Sequence, residues 1–247
     1  MSALLETKGL QLAFGGVVAA DNIDFALQRG ERLAVIGQNG AGKTTFINIC
    51  TGFLKPDAGH VFLNGQDITQ QVPRQIVRLG LGRSFQLPQL FLDHSVRQCL
   101  EIAAAGRAGH LSFFKPLSDT VDAREVDDTL VLVGLQQRAH EPAFALPEGQ
   151  RKLLDIAMAL MLRPQLLIMD EPTSGVASED KMALMDTVMQ ALNERQVTSW
   201  FVEHDIDIVN RYATRVAAWI AGKVAADGTP AEVLSNPQIQ REVLGSH

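Results

Sequence analysis

Cysteine is scarce in this sequence, which contains only two, Cys50 and Cys99. Both lie in apolar, helical-looking stretches, and neither belongs to a spacing that is typical of a metal or redox site. Free cysteines of this kind are usually buried, and the lack of a disulfide framework favours a reducing compartment. We therefore expect both side chains in the protein core.

Long apolar runs and an excess of basic charge are also missing. The first residues, MSALLETKG, have neither the basic nor the apolar segment of a secretory signal, and no apolar run approaches the about 20 residues that span a bilayer. The formal net charge of -6 argues against a nucleic-acid partner bound by bulk electrostatics. These absences predict a soluble, cytosolic chain whose link to any membrane runs through another protein.

The N-terminal part instead contains β-strand patterns. Residues 4–14 and 21–28 alternate apolar and polar side chains, which predicts two antiparallel, half-buried strands. LAVIG at 33–37 is wholly apolar up to its glycine, as expected of a central parallel strand that is covered on both faces. HVFLNG at 60–65 predicts another strand, at a sheet edge.

Helical patterns dominate between residues 73 and 162, interrupted by a loop-like stretch at 106–119. They predict a helical subdomain inserted into the sheet domain. LLIMD at 166–170 and VTSWFVEH at 197–204 predict central strands on either side of a helix at 179–194, an order typical of a parallel crossover.

The last residues predict a hairpin around Gly222, followed by a capped helix after Thr229 and Pro230. The sequence contains no internal repeat, heptad run or low-complexity segment. A chain of 247 residues can bury a full core, and its length fits one large domain or one domain that carries a subdomain.

The stretch from Gly37 to Thr44 matches the pattern G-x-x-x-x-G-K-[ST] of a phosphate-binding loop. It follows the apolar strand and opens a helix, a context that disfavours an ordinary glycine turn. Glycines let the backbone approach phosphate, the N–H groups of residues 40–44 converge on it, Lys43 supplies charge, and the Thr44 hydroxyl faces Mg²⁺. We therefore assign nucleotide binding to Gly37, Gln38, Asn39, Gly40, Ala41, Gly42, Lys43, Thr44 and Thr45.

Two acids, Asp170 and Glu171, end the apolar strand LLIMDE. A buried parallel strand does not carry charges at its C-terminal end for packing alone, so the acids indicate a site there. Asp170 is placed to hold Mg²⁺ through water, and Glu171 to orient or deprotonate an attacking water. His204 ends the next strand and could reach the same edge. The alternative is that all three are solvated residues at strand ends.

In this order, the motifs resemble the nucleotide-binding subunits of ABC transporters along nearly the whole chain. GQNGAGKTT is similar to the Walker A loop, LLIMDE to the Walker B strand, and His204 in VEHD to the switch histidine. Gln86 in GRSFQLPQLF resembles the Q-loop glutamine that meets Mg²⁺ and couples to the membrane subunit. Phe14 resembles the aromatic residue that stacks on adenine, and the alternative is a phenylalanine in the strand core.

The resemblance implies an α/β fold. It has a P-loop NTPase core with a mixed or parallel sheet, an antiparallel β subdomain and an inserted helical subdomain. A single ABC nucleotide-binding domain is expected over residues 1–247, with the core at 1–86 and 164–247 and the helical subdomain at about 87–163.

The interruption that contains SFFKP and the ending GTPAEVLSNPQIQREVLG resemble the ATPases of branched-chain amino-acid importers and their urea and amide relatives. This implies a subunit that couples hydrolysis of ATP, with Mg²⁺, to solute uptake from the cytoplasmic face of the inner membrane. The implied partners are integral membrane permease subunits, a second ATPase subunit and, indirectly, a solute-binding protein, with no nucleic acid. Phe113 and Phe114 either touch a membrane subunit or pack the core of the subdomain.

Two departures from the family concern the partner subunit. The stretch LPEGQ stands where the family signature reads LSGGQ or a near variant, and it consists of Leu146, Pro147, Glu148, Gly149 and Gln150. In SGVA, Ala177 replaces the usual D-loop aspartate. In the family's dimer each ATP lies between one chain's phosphate loop and the other chain's signature, so both departures face the partner. This favours an asymmetric heterodimer over a homodimer, and the alternative is that LPEGQ is a harmless variation.

Two other functions stay open at this point. A soluble ABC-type ATPase that acts on DNA or ribosomes is expected to carry a coiled-coil insertion or a tandem cassette and basic surfaces, and the sequence has none of these. A non-hydrolysing or weakly hydrolysing nucleotide sensor fits LPEGQ and Ala177. A small-molecule kinase is disfavoured because no arginine-rich lid follows the phosphate loop.

Overall fold

A computed structural model describes residues 3–108 and 121–245 of the chain. Phe113 and Phe114, whose role the sequence leaves open, lie outside the described residues. Within this part of the chain, no helix combines the length and the apolar composition needed to cross a bilayer.

The N-terminal strands form an antiparallel sheet in the order β2-β1-β4-β5. These strands are β1 (Leu5–Phe14), β2 (Val17–Leu27), β4 (Ala58–Leu63) and β5 (Gln66–Asp67). The predicted antiparallel pairing of the first two strands is confirmed. The strand expected at 60–65 lies two residues earlier, and its predicted edge position was wrong, because β4 lies between β1 and the short β5.

A second sheet has the strand order β10-β9-β3-β8-β7-β6. Its strands are β3 (Arg32–Gly37), β6 (Leu81–Ser84), β7 (Leu166–Asp170), β8 (Thr198–Val202), β9 (Arg215–Ile220) and β10 (Lys223–Gly228). All neighbours pair in parallel except β9 and β10, which form the hairpin predicted around Gly222. The apolar strands β7 and β8 are buried along their whole length, as expected for central parallel strands.

The helices of the described residues are α1 (Lys43–Cys50), α2 (Pro73–Arg78), α3 (Val96–Ala108), α4 (Ala123–Leu132), α5 (Glu148–Met161), α6 (Ser178–Glu194), α7 (Ile206–Tyr212), α8 (Pro230–Leu234) and α9 (Pro237–Glu242). The helices expected at 179–194 and after Pro230 are confirmed. At the latter, Thr229 accepts the N–H of Glu232, and the Glu232 carboxylate accepts the N–H of Thr229, which closes a capping box.

Strand β6 was not predicted from the sequence, because residues 81–84 fall inside the stretch predicted to be mainly helical. LGRS is short and lacks β-branched residues, and its partner strand β7 comes much later in the chain. The structure pairs Ser84 with Met169, so the loop that follows β6 begins beside the end of β7. This brings Gln86 next to the strand that carries the two acids.

The apolar core is divided into separate clusters, one between the two sheets and another among helices. Phe25, Phe46, Trp200 and Trp219 pack between the sheets in one cluster that also contains Cys50. Helices α3, α4 and α5 pack around a different cluster that contains Cys99. Both cysteines are therefore core residues, as predicted.

The site is positioned by the C-terminal ends of β3, β7 and β8, which lie side by side. The register pairs Val202 with Val35 on one side and with Asp170 on the other. The loops that follow these strands therefore leave the same edge of the sheet, where ligands bind in open α/β folds.

Candidate active site

The loop after β3 enters α1 through Gly42, which precedes the helix with a φ of +101°. A Cβ atom at this position would lie 2.4 Å from the carbonyl oxygen of Ala19 in β2. Glycine is required here both for the left-handed backbone and for the close packing of the loop against the β1–β2 hairpin. The first N–H groups of α1 have no acceptor within the helix, so this turn offers donors to an anion.

Lys43 lies in the first turn of α1 with its amino group inside the loop. Its Nζ atom donates to the carbonyl oxygens of Gly37 and Gln38, at 2.6 and 3.0 Å. Burial lowers the pKa of Lys43, and the charges of Glu171 and Asp170 oppose this shift. The loop thus holds a shielded cation close to the acids at the end of β7.

The other loop residues differ in exposure. Four of them are open to solvent: Gln38, Asn39, Gly40 and Thr44. Ala41 is buried and Thr45 is half-buried. The N–H of Ala41 donates to the Gln38 carbonyl at 3.1 Å, so this donor, which was expected to face phosphate, is engaged within the loop.

Glu171 connects three segments of the chain. Its Oε1 atom lies 3.1 Å from His204 Nε2, and its Oε2 atom accepts a hydrogen bond from Gln86 Nε2 at 2.7 Å. The backbone of Glu171 has a φ of +50°, which is uncommon for a residue other than glycine and is often found at functional sites. The structure therefore brings together three of the residues that the sequence singled out.

Asp170 is paired with an arginine that the sequence did not single out. Arg83 Nη2 donates to Asp170 Oδ2 at 3.2 Å, and only 9% of each side chain is exposed. Arg83 also donates to Asn48 Oδ1 at 2.6 Å and lies over the ring of Phe85. Burial raises the pKa of Asp170. The positive charge of Arg83 favours the ionised carboxylate and therefore opposes that shift.

A cavity of about 580 Å³ opens above these strand ends. It is lined by Gly37, Gln38, Asn39, Thr44, Gln86, Glu171, His204 and Val243. The C-terminal segment forms one wall because the side-chain amide of Gln38 donates to the carbonyl of Glu242 at 2.6 Å. No sequence pattern indicated Val243, which lies far along the chain from every motif.

Thr44, Gln86 and Asp170 offer the oxygen ligands that were predicted for Mg²⁺. The ion usually keeps several waters and binds through one or two carboxylates together with substrate phosphates. Among the described residues, no group of three or more His, Cys, Asp or Glu is arranged as a metal site. A hydroxyl, an amide oxygen and one carboxylate therefore fit an ion that nucleotide and water complete.

Phe14 lies at the end of β1, opposite Val17, and about half of it is exposed, at 51%. It is not a residue of the strand core, which was the alternative. The hairpin that carries it touches the phosphate loop at Ala19. The ring of Phe14 is thus accessible on the hairpin that contacts the phosphate loop, although it does not line the cavity above the strand ends.

The LPEGQ stretch lies away from that cavity. Pro147 precedes α5 without a side-chain capping bond, and Glu148 is exposed in the first helical turn, whereas Leu146 is buried. A second cavity of about 550 Å³ adjoins this turn, and its lining includes Pro147, Glu148, Gly149, Gln150 and Ala177. Within one chain, the phosphate loop and LPEGQ therefore belong to different cavities.

A buried carboxylate, Glu203, was also missed. Its Oε1 atom accepts hydrogen bonds from the N–H and the hydroxyl of Thr173, at 3.1 and 2.7 Å, and its Oε2 atom accepts the N–H of His204. Burial raises the pKa of Glu203, and these bonds oppose the shift. The residue ties the turn after Glu171 to the strand end that carries His204. Its place directly before that histidine was the available signal.

A glycine-rich phosphate loop between a parallel strand and a helix defines a P-loop nucleotide-binding protein of the α/β class. The chain belongs to the ABC transporter family, whose model matches residues 20–174. It is 35% identical to the probable branched-chain amino acid transport ATP-binding protein LivG of Archaeoglobus fulgidus, over 98% of this chain and 96% of that protein. The high-affinity LivG protein of Escherichia coli K12 is 32% identical, over 98% of each.

Solved structures give the same result for the fold. MJ1267, an ATP-binding cassette of an ABC transporter, matches with a TM-score of 0.84 and 29% identity over 98% of each chain. The ADP conformation of MJ1267 matches with a TM-score of 0.81 and 30% identity, again over 98% of each chain. The predicted α/β fold is confirmed, and the chain is an ATP-binding ATPase subunit of this family.

Proposed function

We propose that this chain hydrolyses ATP, with Mg²⁺, to drive the uptake of branched-chain amino acids, or of chemically related small solutes, by an ABC importer. The observation that carries the proposal is the contact of Glu171 with both His204 and Gln86 beside the phosphate loop. The names of the LivG relatives support the solute class.

In the proposed reaction, the N–H groups at the start of α1 and the amino group of Lys43 bind the phosphates. Glu171 accepts a proton from a water molecule whose oxygen forms the new bond to the terminal phosphorus, while ADP leaves. His204 steadies that phosphate, and Gln86 orients the Glu171 carboxylate. Thr44, Gln86 and Asp170 would hold Mg²⁺, which would neutralise charge on the phosphates.

The proposal assigns different roles to two parts of the chain. Residues 1–86 and 164–247 are assigned to the nucleotide-binding core, and residues from about 87 to 163 to a helical subdomain. The separate apolar cluster of α3, α4 and α5 supports this division. Phe14, exposed on the hairpin that packs against the phosphate loop, stacks on the adenine ring.

We assign permease docking to an apolar patch formed by Leu87, Phe91, Leu92 and Phe144, of which 43% to 74% is exposed. The N–H of Phe144 donates to the Leu92 carbonyl, so the turn with Phe144 adjoins this segment. The segment directly follows Gln86, and a permease bound there acts on the residue that contacts Glu171. The chain thereby sits peripherally on the cytoplasmic face of the inner membrane, and a solute-binding protein acts on it only indirectly.

The second ATPase subunit is proposed to be a different chain. LPEGQ carries a carboxylate at the start of α5 where it faces the partner's nucleotide, while Glu171 and His204 of the chain's own site are intact. Ala177 precedes α6 without a side-chain capping bond, and the missing carboxylate loosens the coupling between the two sites. A partner with an unaltered signature completes the competent site of this chain.

Lys43→Ala tests nucleotide binding and turnover. We expect a tenfold to hundredfold loss of ATP affinity, because a charge-assisted contact is worth about 1.5 to 3 kcal/mol. Lys55→Ala is the matched control, since Lys55 also donates to two backbone carbonyls, those of Thr69 and Gln71, but outside the loop. Unchanged affinity in Lys43→Ala contradicts the site, and ATP binding without phosphate release by the assembled transporter indicates a nucleotide sensor instead.

A further inference from the structure

Two buried, charged side chains of α5 reach the loop that carries Gln86. Asp155 is 7% exposed, its Oδ2 atom accepts the N–H of Phe85, and its Oδ1 atom accepts the N–H of Gln89, each at 3.1 Å. Lys152 lies one turn earlier, is 3% exposed, and donates from Nζ to the Gln86 carbonyl at 2.6 Å. Backbone groups on both sides of Gln86 are thus bonded to side chains of a single helix.

We propose that Asp155 is a positioning residue for ATP hydrolysis, which holds the loop from Phe85 to Gln89 so that the Gln86 amide meets the Glu171 carboxylate. This inference rests on the proposed function of Glu171 as the general base. Asp155 does not line the phosphate cavity and acts only through the loop.

The chemistry of the contact requires a carboxylate. Two N–H groups, four residues apart in the chain, converge on one side chain, and only a carboxylate presents an acceptor oxygen to each of them without a competing donor. Pro88 lies between them and has no N–H of its own, so this loop has fewer backbone donors than usual. Lys152 completes the arrangement, since its amino group also lies 3.2 Å from the carbonyl oxygen of Glu171.

The same two side chains link α5 to both ends of the contact that they support. Lys152 bridges the Gln86 carbonyl and the Glu171 carbonyl, while Asp155 fixes the loop on either side of Gln86. The helix begins at Glu148, in the stretch proposed to face the partner's nucleotide. Side chains of α5 therefore hold Gln86 and Glu171 next to each other.

The test compares Asp155→Ala and Asp155→Asn with the unmodified chain. Alanine removes both acceptors, and asparagine keeps the size but presents only one acceptor oxygen, so kcat decreases in the order Asp, Asn, Ala. We expect a loss of kcat of about tenfold or more for alanine, because it removes both charge-assisted bonds, with KM for ATP unchanged. Amide hydrogen exchange of Phe85 and Gln89 becomes faster in the same order.

Glu125→Gln is the matched control, because Glu125 is also a buried carboxylate of the helical region but bonds to Arg107 and Arg163. It is expected to leave kcat and the exchange of the loop unchanged. A double variant with Gln86→Ala must be no slower than the slower single variant, since both changes act through one contact. Unchanged exchange, an unchanged kcat or additive effects overturn the inference.

The two proposals fail in different ways. If Asp155→Ala does not fold, the nearly isosteric Asp155→Asn decides by the same measurements. If the unmodified chain releases no phosphate in its assembled transporter, the proposed function fails. Amide hydrogen exchange alone then tests the role of Asp155. In that case, faster exchange at Phe85 and Gln89 supports its hold on the loop, and unchanged exchange overturns it.

Discussion

His204 Nε2 lies 3.1 Å from Glu171 Oε1, although the two residues come from the ends of different strands, β8 and β7. The second oxygen of the carboxylate accepts a hydrogen bond from Gln86. Both oxygens are thus oriented by neighbouring side chains, and the backbone of Glu171 is in the left-handed region, with a φ of +50°. This is the arrangement expected of a carboxylate that must meet one water molecule in a defined position.

Glu171→Gln is expected to preserve ATP binding and to reduce phosphate release about 100-fold or more, because general base catalysis typically contributes about 10² to 10⁴ in rate. Glutamine has nearly the same shape but cannot take the proton. Binding is measured with labelled ATP, and turnover by phosphate release. Glu194→Gln, on the exposed end of α6, is the control with the same chemical change. Normal turnover in Glu171→Gln would rule out the assigned role.

The cluster around Glu171 was largely predictable because its parts lie at the ends of recognisable strands. Asp170 and Glu171 directly follow an apolar run, and His204 directly follows the next one. Adjacent parallel strands leave one edge of a sheet, so contact between these residues followed from the order of the strands. Gln86 was predictable only through the family resemblance.

The supporting residues could not be predicted, because their partners are distant in sequence and no local pattern links them. Arg83 lies in a four-residue strand that was missed, and its bond to Asp170 depends on the pairing of that strand with β7. Asp155 lies on the buried face of an amphipathic helix, where an acid contradicts the pattern. That contradiction was the one available sign that Asp155 has a polar partner.

The apolar patch makes a prediction about membrane attachment. Leu87→Glu and Phe91→Glu are expected to release the chain from membranes that contain its permease without lowering its melting temperature, because both side chains are exposed. Leu90, in the same segment, packs against the helical cluster, so a charge there tests folding instead. Val131→Glu, an equally exposed apolar site on α4, is the control. Continued co-sedimentation of both patch variants would assign docking to another surface.

Glu125 makes a prediction about the pH dependence of stability. Hydrogen bonds and charge from Arg107, with a further contribution from Arg163, lower the pKa of Glu125 to about 2. A lowered pKa stabilises the folded state at pH values above the ordinary carboxyl range, and the stabilisation is lost as the pH falls towards 2. Glu125→Gln is therefore expected to lower the free energy of unfolding by about 2 kcal/mol at pH 7, and by progressively less below pH ~4.5.

Urea unfolding of Glu125→Gln and the unmodified chain at several pH values measures this difference. Glu141→Gln provides the control, since Glu141 pairs with Arg138 at an exposed position. Surface pairs of that kind contribute about 0 to 1 kcal/mol. A difference for Glu125→Gln that stays constant down to the lowest pH would contradict the assigned cause.

The LPEGQ turn makes a prediction that tests whether the two ATP sites of the dimer are equivalent or unequal. Glu148 adds a negative charge to the first turn of α5, where the helix dipole favours it by about 0.3 to 1 kcal/mol within this chain. If the partner's phosphate lies ~6 Å away, an effective dielectric constant of ~20 gives roughly 3 kcal/mol of repulsion per unit charge. The repulsion exceeds the gain, so the carboxylate is expected to slow the partner's site.

Pro147→Ser combined with Glu148→Gly restores the family signature and supplies the cap that α5 lacks, which is worth about 0.5 to 2 kcal/mol. We expect faster ATP hydrolysis by the assembled transporter, and the gain should disappear when the phosphate-loop lysine of the partner is also replaced. Glu148→Gln alone removes the charge without a glycine and should give most of the gain, whereas Pro147→Ser alone should mainly raise the melting temperature. An unchanged rate in the double variant would mean that LPEGQ is a neutral variant and that the two sites are equivalent.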